Sequence, residues 1–120
     1  MTTTINELVQ RLSTGKHEVM LEDRNDSYED IKRRIESGFV HIKFTKTKGT
    51  GTELGINVDH SKTDIKSADF NKKEGKVHIE GTTTLNYNPV RCIADVDLST
   101  RVGEGCLEVI EESELVTTKD

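Results

Sequence analysis

The chain has 120 residues, 32% of them hydrophobic and 32% charged, with a net charge of −5. That length fits one compact domain, and Leu, Ile, Val and Phe together make up a quarter of it, above the level of intrinsically disordered chains. No apolar stretch approaches the roughly 20 residues of a membrane span, the start MTTTINELVQRL lacks the basic and apolar regions of a signal peptide, and the acidic balance argues against general binding to duplex DNA.

Thr4 and Glu7 stand in the S/T-x-x-E spacing of a capping box. Ile5, Leu8, Val9 and Leu12 follow as one apolar stripe, so a first helix is predicted up to Gly15. Lys16 to Asp23 is ambiguous between a short strand and a helical turn, and is read as a helical extension. A second helix starts after Ser27, places Tyr28, Ile31 and Ile35 on one face, and ends at Gly38.

From Phe39 the period becomes two. Val40, Ile42 and Phe44 alternate with His41, Lys43 and Thr45, the pattern of a strand with one wet face. Alternation resumes at Leu54, Ile56 and Val58, then more weakly over Ile65 to Phe70. A long strand runs from Lys76 to about Tyr87, and Asn88-Pro89 breaks it. Val90 to Leu98 put Cys92, Ala94 and Val96 on one side and Arg91, Ile93, Asp95 and Asp97 on the other. A last strand covers Glu104 to Glu111. The expected fold is α+β: two N-terminal helices packed on one face of an antiparallel β-meander of six strands. Residues 1–112 form one domain and 113–120 a mobile tail. With three Phe and no Trp the core is thin, which favours burial against a second copy of the chain.

Enzymatic signatures are weak. Gly49 to Gly55 lacks the G-x-G-x-x-G spacing, and the strand-like LGINVD follows where a helix is required, so a glycine-rich turn is the better reading. His17, His41, His60 and His78 include no i, i+4 pair on a helix, and no C-x-x-C completes a zinc site. His41 and His78 read as strand residues. Cys92 and Cys106, expected opposite Glu111 and Asp97, lie too far apart for a disulfide and read as reduced packing thiols of a cytosolic protein. Asp95 and Asp97 share a face but lack a third acidic ligand, so solvated carboxylates are favoured over a metal or a general base. Neither a catalytic residue, a cofactor nor a metal is assigned.

The richest stretch runs from Leu85-Asn-Tyr-Asn-Pro-Val-Arg91 to Asp97-Leu-Ser-Thr-Arg101. It gathers side amides, an aromatic ring, two guanidiniums and a carboxylate around two chain reversals, the groups that hold a nucleotide. The layout resembles the phage anti-Thoeris proteins, which sequester a cyclic ADP-ribose immune signal. The helical start, the meander, the break near LNYNP and the ADVDL strand carry the likeness. The resemblance implies a homo-oligomeric sponge in the host cytoplasm that binds a cyclic nucleotide without cleaving it. Asn86 or Asn88 and Arg101 would match the family's pocket, Phe70 or Tyr87 would supply the ring, and Arg91 and Asp97 complete the site. The alternative from another class is a β-rich protein-interaction module with no small ligand, consistent with exposed edge strands.

Overall fold

The structure, a computed structural model, describes residues 7–22, 27–47, 51–85 and 88–111. In chain order these form α1 (Glu7–Leu12), β1 (His17–Glu22), α2 (Tyr28–Ser37), β2 (Phe39–Phe44), β3 (Thr52–Val58), β4 (Lys76–Leu85), β5 (Asn88–Asp97) and β6 (Val102–Val109). Each strand pairs antiparallel with its chain neighbour, and β6 returns to β1 through His17↔Gly105 to Met20↔Val102, which closes a barrel.

Period-two alternation fills the barrel. Val40, Ile42, Phe44, Ile56, Ile79, Cys92, Ala94 and Leu107 point inward and are buried, while the intervening residues face out. Val9 and Leu12 of α1 and Ile31 and Ile35 of α2 join the same core. Helix α2 begins where the extended backbone of Ser27 lets its hydroxyl accept from the Asp30 N–H at 3.2 Å. It ends at Gly38, whose φ of 103° lets its own N–H reach the carbonyls of Arg34 and Ile35. Two imidazoles close the helix ends. The His17 Nε2–H donates to the carbonyls of Arg11 and Thr14, and the His60 Nε2–H donates to Ile35 at 3.0 Å. The Thr4 capping box and the 113–120 tail lie outside the described residues.

Three expectations are corrected. Residues 17–22 are strand β1, not a helical extension: only Val19 and Leu21 are deeply buried in that stretch, too few to reveal a period, and pairing with both β2 and β6 decides the matter. Residues 65–70 form no strand. Isolated bridges Asp64↔His78 and Asp69↔Glu74 flank them, while the Asp64 and Asp69 carboxylates accept nearby backbone N–H groups that a ladder would need. The sheet is therefore a closed barrel and not an open meander with one face covered, because β1 joins its two ends; α2 packs on β2 and α1 on β6.

The β5–β6 hairpin turns over residues 98–101, with Asp97 opposite Val102. Cys92 then faces Leu107 and Cys106 faces Ile93, in place of the expected Glu111 and Asp97 partners. Cys92 points into the core and Cys106 outward, and both are free thiols.

Candidate functional site

β3 pairs with β2 along its whole length, from Phe39↔Asn57 to Phe44↔Thr52. With β4 it pairs only at Asn57↔Thr82 and Val58↔Gly81 among the described residues. The β4–β5 arm nevertheless continues as a paired ladder to Leu85↔Asn88. The barrel thus has a seam that is fastened at one end and splayed at the other. Ile56 opposite Thr83 and Leu54 opposite Leu85 would be its next rungs, so about 10 Å of strand edge has no ladder partner across the gap. Gly81 sits at the fastened end, where a Cβ would meet the Asn57 carbonyl oxygen at 2.3 Å. Beside the gap, the ring of Phe39 lies over Gly55, 5.2 Å from the His41 ring and edge-on to it. Phe39 is 39% exposed, a large apolar side chain left in solvent next to unpaired strand edges. Both features belong to surfaces that take a protein partner.

On the outer face of β4 and β5, alternation lines up a chain of charges. Arg91 lies 3.3 Å from Asp59 and 3.7 Å from Glu80; the His78 imidazole lies 2.7 Å from Glu80 at Nε2 and 2.7 Å from Asp95 at Nδ1. Hydrogen bonds to Glu80 and then to Asp95 raise the His78 pKa above the ordinary histidine value, against the opposing effect of burial. The Ser61 hydroxyl, with a further contribution from Arg91, holds the Asp59 carboxyl below its usual range. Arg91 is committed to two carboxylates, so its guanidinium serves charge pairing inside the fold.

The residues expected to form a nucleotide pocket do not converge. Asn88 opens β5 and Asp97 ends it; ten extended residues separate their ends by about 30 Å. Asn88 is buried opposite Leu85. Asp97 accepts the N–H and hydroxyl of Ser99, which keep its carboxyl below the usual range. Arg101 holds a left-handed backbone, φ 63°, with its guanidinium 5.8 Å from the Tyr28 ring centre. Phe70 is a core residue, 8% exposed. Asn86 and Tyr87 lie outside the described residues. A groove of about 610 Å³ between α2 and residues 65–71 borders Phe70, and one of about 260 Å³ borders Asp97; neither brings a ring, an Asn and an Arg together. His41 and His78 are kept apart by β3, and the described residues hold no cluster of three metal-ligating side chains.

The seam, Phe39 and the His78 cluster were not singled out from the sequence. Gly55 and Gly81 were the available signal, since a glycine inside an alternating strand marks a close approach of another group.

The family model described as core binding factor beta subunit matches residues 6–119. Two Drosophila melanogaster proteins are similar: Protein brother, 30% identical over 115 residues (89% of this chain and 52% of the relative), and Protein big brother, 33% identical over 114 residues (88% and 52%). The chain spans about half the length of these curated relatives. These matches overturn the resemblance to anti-Thoeris sponges, and with it the phage setting, the cyclic ADP-ribose ligand and the sequestering oligomer. What misled was the residue content of the LNYNP–ADVDL stretch, counted as one corner although an extended strand runs between its ends. With nearly its whole length matched by the family model, the chain belongs to the core binding factor beta subunit family.

Proposed function

We propose that this chain is a non-catalytic subunit that binds a protein partner, a domain of the RUNX type in keeping with its family, and that the docking face is the splayed β3–β4 seam with Phe39 beside it. The family match over residues 6–119 carries the first part of this reading. The seam supports the second: strand edges without ladder partners and an exposed aromatic ring supply directional hydrogen bonds and an apolar anchor on one surface. No reacting group is required, because a subunit of this kind acts through affinity alone. The acidic net charge suits a role beside a DNA-binding protein and not directly on the phosphate backbone.

Titration calorimetry of the chain against a purified RUNX domain tests this reading. Saturable binding is expected, and Phe39→Ala should weaken it by about 2 kcal/mol, roughly thirtyfold, as loss of an aromatic anchor does. Thr84→Arg, on the exposed edge of the arm, should weaken it without lowering the melting temperature. Absence of heat with the wild-type chain overturns the partner; binding that ignores both substitutions overturns the face.

A further inference from the structure

We propose that His78, clamped between Glu80 and Asp95, is a protonation-dependent clasp: charged, it ties the outer face of β5 to β4; neutral, it releases Asp95. The geometry sets the charge state. Both ring nitrogens lie 2.7 Å from a carboxylate oxygen. Ionised carboxylates only accept, so each nitrogen must carry a hydrogen and the ring is an imidazolium. A neutral ring has one N–H, and its other nitrogen would turn a lone pair toward a carboxylate.

The two partners are not equivalent. The Glu80 side chain is 18% exposed and has Arg91 at 3.7 Å on its other oxygen, so it stays in place. The Asp95 side chain is 63% exposed and can turn into water. Loss of the proton therefore breaks the cross-strand bond and keeps the one along β4. The surroundings favour the charged ring: Lys76 and Glu80 lie on β4, Arg91, Asp95 and Asp97 on β5, Asp59 and Asp64 on the 59–64 loop and Lys66 just after it, five carboxylates against three bases.

The same residues carry the loop on their backbones. His78 exchanges two hydrogen bonds with Asp64, N to O at 2.9 and 2.8 Å. The Glu80 carbonyl accepts from the Asp59 N–H at 2.8 Å and the Thr63 hydroxyl at 3.2 Å, and the Glu80 N–H donates to Thr63 Oγ1. These rungs are made by backbone groups and not by the imidazole, so the loop stays beside the fastened end of the seam when Asp95 is released. Because the pKa of His78 is raised on folding, the clasp contributes in full below the ordinary histidine value of 6.5 and is lost as pH rises through the higher folded value.

The experiment uses the whole chain without a partner, so it stands apart from the docking proposal. Thermal unfolding is followed from about pH 6 to about pH 9 for the wild type, His78→Gln and Asp95→Asn, with amide exchange read at Asp59 and Asp64. The wild type should melt well above His78→Gln at the acid end, and the gap should close toward the alkaline end. Exchange at both amides, corrected for its intrinsic pH dependence, should stay constant over the same range, because the backbone rungs do not depend on the charge of the ring; a severalfold acceleration there would mean that the loop opens instead of the clasp and overturns the proposal. Asp95→Asn, an exposed change that leaves the fold intact, should flatten the pH profile and serves if His78→Gln does not fold. A gap that is constant with pH, an Asp95→Asn profile matching the wild type, or a His78 ring signal titrating at the free-histidine value overturns the clasp.

Discussion

Two glycines in the barrel have similar clashes on paper and should respond very differently to alanine. A Cβ at Gly81 would meet the Asn57 carbonyl oxygen at 2.3 Å, Ile56 Cγ2 at 2.5 Å and the Asn57 carbonyl carbon at 2.9 Å. Two of those atoms are backbone, and they belong to one of only two rungs between β3 and β4 among the described residues. Gly81→Ala must therefore push β3 away from β4. Overpacking of this kind costs about 1–3 kcal/mol, and losing an adjoining ladder hydrogen bond adds about 1 kcal/mol, for a total of about 2–4 kcal/mol. For a domain of this size that is a fall in Tm on the order of 10 °C. At Gly55 the added Cβ would meet Phe39 Cζ at 2.5 Å, the far end of an exposed ring that can rotate away. Gly55→Ala should cost less than about 1 kcal/mol. Urea unfolding of both variants at neutral pH, with m-values compared to exclude a change in the unfolded state, gives the two numbers directly. Equal losses, or a Gly81→Ala loss within about 0.5 kcal/mol of zero, would refute the idea that the seam hangs on those two rungs.

Two further outcomes follow from local geometry. Ser27→Ala removes the hydroxyl that accepts from the Asp30 N–H at 3.2 Å and should lower unfolding stability by about 1 kcal/mol, with Ser27→Gly costing only a few tenths; chemical denaturation separates the two. The Cys92 thiol is buried and pushed up to about 12, so a maleimide at neutral pH should leave it unmodified until denaturant is added, and peptide mapping by mass spectrometry distinguishes it from the more accessible Cys106.

Much of the secondary structure was legible because its signals are local. Ser27 and Gly38 bound α2 as capping chemistry requires, and the alternation of β2, β3, β4 and β5 declared strands with one apolar side, while β6 was read as a strand with no face assigned. β1 was not legible, since six residues with two deeply buried side chains satisfy either period, and its identity comes from partners 19 to 25 and more than 80 residues away in sequence. Residues 65–70 misled in the opposite sense: Ile65 and Phe70 supply apolar content, but the flanking aspartates turn the backbone. Closure depends on β1, so misreading that one stretch opened the barrel into a sheet. The candidate site failed for a geometric reason. Asn88, Arg91, Asp97 and Arg101 look clustered in sequence, yet an extended strand separates its ends as far as any short segment can. The splayed seam was hard to read because it consists of where pairing stops, and Gly55 and Gly81 mark only close approaches beside it.

Ring closure leaves this small protein few places where it can be templated by a copy of itself. Among the described residues, one such place is the notch bordered by Thr52–Ile56 and Thr83–Leu85; another is Cys106–Val109 of β6, which pairs with β5 but not with β1. The notch has two opposed borders on which a strand-exchanged dimer or fibril nucleus can start, so its occupant would also act as a chaperone against self-assembly from that edge, and the empty subunit should be more prone to precipitate than the occupied one.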